Sequence, residues 1–452
     1  MSETAKLASG SIRGHLVSQT LPMVIGVSAI MSIGLVDSYF IGQLGKDELA
    51  AIAFVFPIAM AMGSLGVGMM VGINSIVARA LGEGDQDKAA RRANLGFVTA
   101  IIFGIVAGLL IFALVDPLFA LLQAPDHLRP IIATYMRPFA LGFPLQLAIM
   151  GLNGMLRGQG EARRTSYISL TYAAGNWVLD PILITGVFGF GGFGIAGAAY
   201  ASLIGWAMGI AVGLLLIRKT ALPLNPTLLR EGNLREPMTA MVRVAAPAAF
   251  SNSINPVGLS ILTALIAVQG AEAVAGFGAA GRVQSFALVP LLALSGSIGG
   301  IVGQNWGANK PERSREALFY AGIFCVAYGL LIACVLAFGG WWFADFFTDD
   351  PAVMEQFATY LGIAAWGYAG FGLLIVANGA LNAIDRASFA FGQSAARVFL
   401  IMLPAAWLLQ TQIGANGIYA AELIANVVGG AFAAVIAWKL LNRDPAQPSV
   451  SR

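Results

Sequence analysis

Apolar blocks of about 20 residues recur along the whole chain, separated by short polar segments. A helix needs about 20 residues to cross the roughly 30 Å hydrocarbon core of a bilayer, because each residue adds about 1.5 Å. The pattern therefore predicts an all-α polytopic membrane protein whose twelve spans have approximate cores at 17–40, 50–76, 95–115, 131–152, 166–187, 194–217, 241–268, 273–301, 317–340, 357–378, 389–409 and 416–438.

The second half of the chain repeats the first. An offset of 225 residues aligns Pro22 with Pro247, the sequence ATY at 133–135 with ATY at 358–360, and NG at 153–154 with NG at 378–379. Since six spans are an even number, both halves share one orientation, which is the parallel kind of transporter repeat. We therefore predict two pseudo-symmetric six-helix lobes around a central cleft, namely an N-terminal lobe (1–217), a cytoplasmic linker (218–240), a C-terminal lobe (241–440) and a cytoplasmic tail (441–452).

Composition and charge placement support a membrane protein and predict its orientation. The chain is 58% hydrophobic and 11% charged, whereas soluble domains carry roughly a quarter charged residues. With a cytoplasmic N-terminus, 21 of the 26 Lys and Arg residues lie in cytoplasmic segments, as the positive-inside rule requires. We expect a multi-pass protein of the bacterial inner membrane with both termini in the cytoplasm.

Two acidic residues lie within spans of the first half. Asp37 is about 20 residues from the cytoplasmic entry of the first span, and Asp180 about 15 residues from that of the fifth. Both therefore lie in the outer half of the membrane at similar depth. Two neighbouring carboxylates in a poorly hydrated site cannot both ionise easily, so one would hold a proton near neutral pH. We predict a proton-coupling pair; the alternative is that either residue caps a helix end.

The second half contains its own charged residues within spans, Glu422, Arg282 and Arg397, together with the polar Asn378. A buried acid with two available bases favours a structural ion pair, and a direct role in substrate or proton binding is the alternative. In the first half, Asn153 and Asn176 add neutral polar groups, for which interhelical hydrogen bonding is the simplest role. Pro22 interrupts the first helix, either as a bend that responds to protonation or as a static kink.

The chain lacks the residues that several other functions would need. No G-x-x-x-x-G-K-[ST] motif is present, so the sequence predicts no ATPase of its own. The only histidines, His15 and His127, lie in loops. We therefore expect no enzymatic activity, no cofactor and no metal site, and the two-lobe repeat favours a transporter over a channel.

The residues resemble those of the multidrug and toxic compound extrusion (MATE) family over nearly the whole chain. The resemblance rests on VDSYFIG at 36–42, NG and RGQG at 153–154 and 157–160, NWVLDP at 176–181, GIAGAA at 194–199 and VGQNWGA at 302–308. It implies export of varied, often cationic, lipophilic compounds by alternating access against proton or sodium entry. Asp37, Asn153, Asn176 and Asp180 match the family's amino-terminal cation site, Ser202 matches a hydroxyl there, and Pro22 matches a proline whose bend accompanies protonation.

The sequence departs from one branch of that family. The sodium-coupled branch has acids in the seventh and tenth spans, where the alignment places Asn255 and Phe371. The chain is thus more similar to the DinF (DNA-damage-inducible) branch, which favours protons as the coupling ion. We expect a monomeric proton antiporter of drugs or toxic metabolites, surrounded by membrane lipid and without a nucleic-acid partner. The alternatives are a sodium-coupled exporter of the same fold and a lipid-linked precursor flippase.

Overall fold

The computed structural model describes residues 5–186, 191–230 and 234–442. Within these ranges all regular elements are helices, and a short 3₁₀ turn, Lys6–Ala8, precedes the first long one. The predicted tail at 441–452 lies almost wholly outside the described residues. The predicted all-α architecture is confirmed.

The first lobe contains six helices. They are α1 (Ile12–Gly42), α2 (Lys46–Gly82), α3 (Gln86–Leu121), α4 (Arg129–Gly158), α5 (Ala162–Asp180) and α6 (Ile195–Ile217). A π-helical turn, Pro181–Thr185, continues α5. Two of the starts have side-chain caps, because Ser11 accepts a hydrogen bond from the Gly14 amide and Asp85 accepts one from the Lys88 amide, which satisfies otherwise unpaired helix amides.

The second lobe repeats this order. Its helices are α7 (Arg235–Ala267), α8a (Ala271–Ala287), α8b (Val289–Gly307), α9 (Pro311–Asp345), α10 (Pro351–Ala383), α11 (Ala387–Ile413) and α12 (Ala415–Leu441). The two parts of α8 meet at an angle of 44°, and Pro290 in the first turn of α8b removes a helix hydrogen bond there. Helix α7 begins six residues before the predicted start of the second lobe.

Twelve spans can be assigned in the described chain. Ten helices are long and apolar enough to cross a membrane, and the bent pair α8a and α8b forms an eleventh span. The twelfth is α5, which is more polar because it begins with Arg163 and Arg164 and ends at Asp180. It packs between α1 and α6, so its polar residues are shielded by protein.

Each lobe has its own hydrophobic core, but at one end of the molecule a few side chains of each lobe pack in the core of the other. Leu7, Ile12 and Leu16 belong to the core of the second lobe, whereas Met241 and Ala245 of α7 belong to that of the first. This end also carries both described chain ends, since Arg315 donates to Asn442 beside the end of α12. We call it the terminal face, and the opposite end the far face.

Candidate functional site

The Asp37 and Asp180 side chains meet inside the first lobe. Asp180 is fully buried at the last α-helical residue of α5, and Asp37 is partly buried on α1. Their carboxyl groups lie within hydrogen-bonding reach of each other. Among the described residues, neither Asp180 oxygen nor Oδ1 of Asp37 receives any other hydrogen bond. Two carboxylates offer only acceptors, so a shared proton would supply the missing donor.

Close packing of α1 on α5 positions this pair. A Cβ atom on Gly26 would lie 3.2 Å from the Ser166 backbone, so the helices approach closely at that point. The Ser166 hydroxyl donates to the Pro22 carbonyl at 2.6 Å, and Trp177 Nε1 donates to Ser32 Oγ at 3.1 Å. Helix α1 continues through Pro22 as one helix. The two helices are thus joined from the terminal half up to the carboxyl pair.

The other first-lobe site residues are buried polar groups on three helices. Asn176 lies one turn before Asp180 on α5 and is fully buried, Asn153 is on α4, and Ser202 is on α6 beside Tyr172. Oδ1 of both asparagines lacks a described hydrogen-bond partner. No described contact joins Asn153 to the carboxyl pair. The site therefore offers unused oxygen acceptors, which suit protons or a small cation.

Aromatic residues that the sequence analysis did not select surround the pair. Tyr135 and Tyr172 are close enough to interact electrostatically with both carboxyl groups. Tyr135 stacks on Phe139, which contacts Trp206, and Trp206 contacts Tyr172, with ring centroids 5.5, 5.4 and 6.2 Å apart. The repeat contained a signal for one of them, because Tyr135 aligns with Tyr360 of the second lobe.

Glu422 has neutral partners, which corrects the predicted ion pair. It is 3% exposed on α12. Its oxygens accept hydrogen bonds from Gln284 Nε2 and from the Tyr360 hydroxyl, each at 2.9 Å. Tyr360 also lies 2.7 Å from Gln284 Oε1, so its single proton can serve only one acceptor at a time. No ion pair of Glu422 occurs in the described part of the chain.

No other member of the predicted second-lobe cluster bonds directly to Glu422 within the described residues. Arg397 is buried and donates to Asn426 Oδ1 at 2.6 Å and to Asn255 Oδ1 at 2.5 Å. Asn378 bonds Ser394 and Gln393 on α11. Arg282 is exposed on α8a. Arg397 is close enough to Glu422 to attract it electrostatically, but Asn378 and Arg282 share no described contact with either residue.

The interiors of the two lobes carry charges of opposite sign at related positions. Asp180 directly precedes the π-helical turn of α5, and Arg397 lies within a π-helical segment of α11, Ala396–Met402. The Arg397 guanidinium also lies over the Phe371 ring, 5.4 Å from its centroid. The positions Asn255 and Phe371, where the sequence lacks acids, thus both contact a fixed cation. Local π geometry often marks functional positions in helices.

The family follows from comparison with known proteins. The MatE family model matches residues 22–182 and 247–408, once in each lobe. The chain belongs to the MatE family. Members of this MATE family are transporters rather than enzymes, which agrees with the expectation that this chain is not an enzyme.

Individual relatives and solved structures agree with this assignment. A FAD transporter of Shewanella oneidensis is 33% identical over 95% of each chain. A probable multidrug resistance protein NorM of Deinococcus radiodurans is 29% identical over 87% of this chain and 85% of its own. A variant of the Vibrio cholerae MATE transporter VcmN superposes with a TM-score of 0.90 at 28% identity and 97% coverage of both chains. An outward-facing multidrug resistance MATE transporter gives 0.91 at 23% identity and 98% coverage of both.

The lobes of this MATE protein contact each other at the terminal face. Gly68 and Gly72 of α2 pack against α7, where added Cβ atoms would lie 2.6 and 2.8 Å from Ala249 and Ala245 Cβ. The Ser75 hydroxyl donates to the Asn382 carbonyl at 2.6 Å across the lobes. All these contacts lie in the terminal-face halves of their helices. These contacts therefore hold the two lobes together at the terminal face.

A short segment before α1 reinforces this closure. The Leu7 amide donates to Gln304 Oε1 at 2.9 Å, Gln304 Nε2 donates to the Gly158 carbonyl at 2.8 Å, and Asn305 Nδ2 donates to the Leu7 carbonyl at 3.0 Å. The Leu7 side chain contacts the position of Gly160, and Lys6 pairs with Glu161. Segment Lys6–Ala8 thus connects the end of α4 in the first lobe with the end of α8b in the second.

A charged cavity of about 670 Å³ lies at the terminal face beside this contact. Its lining includes Arg79 and Arg92 from the first lobe and Arg243 and Asp385 from the second. Asp385 lies 3.2 Å from Arg243 and 3.9 Å from Arg79. The acid therefore joins the two lobes electrostatically, and opening of this face must separate Asp385 from Arg79. Within the described residues no group of three or more His, Cys, Asp or Glu side chains could hold a metal ion.

Substitution of Glu422 tests its structural role. We expect Glu422→Leu to lower the thermal stability of the detergent-purified protein, because Gln284 Nε2 would lose its buried acceptor while the Tyr360 hydroxyl can still donate to Gln284 Oε1. An unsatisfied buried donor costs about 1–3 kcal/mol. Transport per folded molecule should change little. Glu272→Leu, at the exposed start of α8a, is the matched control. Normal stability of Glu422→Leu with lost transport would contradict a structural role.

Proposed function

We propose that this MATE protein exports small molecules from the cytoplasm in exchange for protons by alternating access. The observation that carries the proposal is the Asp37–Asp180 pair, whose carboxyl groups meet inside the first lobe without a donor. A buried pair of this kind can bind one proton and release it when hydration or packing changes. Asn176, Asn153 and Ser202 supply further oxygen groups in the same lobe.

The orientation of the protein in the membrane is inferred from the distribution of its basic residues. In the proposed topology the terminal face is cytoplasmic, because most basic residues lie in segments at that face. The protein would act as a monomer in the bacterial inner membrane, with both termini in the cytoplasm. Protons would enter from the far face to reach the carboxyl pair, and closure of the far face would follow separation of the terminal-face contacts.

The charge of the second lobe favours protons over sodium as the coupling ion. Arg397 places a guanidinium between Asn255 and Phe371, and a fixed cation opposes binding of a second cation there. This feature supports membership of the DinF-like branch. The first-lobe site remains the candidate coupling site for either ion.

Two classes of cargo are candidates. Relatives named as multidrug resistance proteins favour lipophilic, often cationic compounds. The relative named as a FAD transporter, which is 33% identical over 95% of both chains, favours FAD as the second candidate. The second lobe contains Arg282 and Arg397 within its spans, which would suit the phosphates of such a cargo.

Transport by purified protein in liposomes tests coupling and cargo together. Ethidium and FAD are assayed separately under an imposed pH gradient, a sodium gradient, or neither. We expect efflux of at least one cargo under the pH gradient alone, abolished by a protonophore. If efflux requires a sodium gradient and does not respond to the pH gradient, the coupling ion is sodium and not the proton. If neither gradient drives movement of either cargo, the proposed function is wrong.

A further inference from the structure

Arg282 lies on a face of α8a that differs from the lipid-facing surfaces of the protein. The exposed residues at helical spacing on this face are small or polar: Ala271, Ala275, Gly278, Arg282 and Ser285. By contrast, α9 exposes large apolar side chains along its length, including Phe319, Leu331, Phe338 and Trp342. Along α8a only Phe286 is an exposed large apolar residue. This face of α8a is therefore suited to water in the cleft and not to lipid tails.

The depth of Arg282 supports the same conclusion. It lies ten residues after Glu272 at the far-face end of α8a, which corresponds to about 15 Å along the helix. That is about half of a 30 Å hydrocarbon core. A guanidinium at such depth is costly when it faces lipid and stable when it faces a water-filled cavity. Added Cβ atoms on Gly278 and Gly281 would meet nothing within 4 Å, so the space beside Arg282 is open.

No charge of the described chain compensates Arg282. It takes part in no described ion pair or hydrogen bond, and the acid nearest to it along the helix is Glu272. Glu422 is held on the opposite, buried side of α8a by Gln284. Helix α7, one of the helices that contact α8a, carries the neutral Asn252, Asn255 and Ser260 in its far-face half. The second-lobe wall thus carries an open, uncompensated cation.

We propose that Arg282 forms a binding subsite for an anionic group of the cargo, a phosphate or carboxylate. The guanidinium presents several donors in a planar fork that matches such oxyanions, and desolvation within the cleft strengthens the contact. The subsite rests on the proposed export function, because the ligand is the cargo. With this subsite, the second lobe would select cargo by its negative charge, while Asp37 and Asp180 of the first lobe would bind and release protons.

Equilibrium dialysis of the purified full-length protein in detergent tests the subsite. The probes are 4-methylumbelliferyl phosphate and uncharged 4-methylumbelliferone, which differ by the phosphate alone. We expect wild type to bind the phosphate at least about tenfold more tightly, the effect of one charge-assisted contact. Arg282→Gln should remove this preference, and Arg282→Lys should keep part of it. Lys46→Gln, which removes an exposed cation at the far-face end of α2, should keep all of this preference.

The outcomes separate this inference from the proposed function. No preference for the phosphate in wild type, or an undiminished preference in Arg282→Gln, would overturn the subsite. An equal loss of both probes in Arg282→Gln would assign the residue a structural role instead. Efflux of ethidium and of FAD by wild type under the pH gradient is measured in parallel, and its absence for both cargoes would count against proton-coupled export whatever the dialysis shows.

Discussion

Replacement of Asp37 by asparagine is expected to reduce proton-driven efflux to the level of empty liposomes. Asparagine retains the shape and most of the polarity of aspartate, but it cannot bind and release a proton. The partner Asp180 would then have an amide donor for its free oxygens, which stabilises one charge state and stops the exchange. The measurement is efflux from liposomes after a pH jump, with melting temperature to confirm folding.

Asp47→Asn is the matched control, since Asp47 is an exposed acid at the far-face end of α2. It should retain wild-type efflux. Asp180→Asn should behave as Asp37→Asn does, because either residue completes the same pair. Proton-driven efflux in Asp37→Asn would show that protons couple elsewhere, and efflux lost in Asp47→Asn would show a general effect of surface charge.

Gly82→Ala should prevent closure of the terminal face. A Cβ atom on Gly82, the last residue of α2, would lie 2.1 Å from the Gln304 carbonyl oxygen of α8b. Both groups are helix backbone and cannot move aside separately. Overpacking of this kind costs about 1–3 kcal/mol, which shifts a two-state equilibrium by about 5- to 150-fold. We expect efflux to fall strongly while the protein stays folded.

Cysteine labelling checks this prediction. Ser75 is 1% exposed within the closed contact, so a cysteine there reacts only when the terminal face opens. In a background without Cys325 and Cys334, Gly82→Ala should raise labelling of S75C by a membrane-impermeant maleimide applied at the terminal face. Gly63→Ala is the control, because its Cβ atom in α2 meets nothing within 4 Å. Unchanged labelling with normal transport would exclude this contact from the transport cycle.

The sequence contained enough information for the architecture because the bilayer restricts it strongly. Every spanning segment must satisfy its own backbone hydrogen bonds, which leaves helices of about 20 apolar residues. The equal depth of Asp37 and Asp180 likewise predicted their proximity, which the structure shows. Their coupling role stays a prediction.

The side-chain contacts of the site could not be predicted, because they depend on which side of each helix faces which neighbouring helix. Periodicity located Glu422 and Arg282 within spans, but it could not show that α8a turns Gln284 toward Glu422 and Arg282 away from it. The tyrosine beside each acid was missed because aromatic residues in spans usually pack against lipid or protein. The burial of Leu7 in the second-lobe core was also not predictable from hydrophobic periodicity, because a single apolar residue in a polar segment forms no periodic pattern.

The segment Lys6–Ala8 has a consequence for how the protein is handled. Leu7 is 2% exposed between the two lobes. In the proposed alternating-access cycle the lobes separate at each turnover, so this segment has to detach and rebind at the transport rate. A bulky fusion close to Lys6 would slow or block that return. Expression tags belong after Leu441, and a small environment-sensitive dye near Lys6 would report each opening of the terminal face in real time.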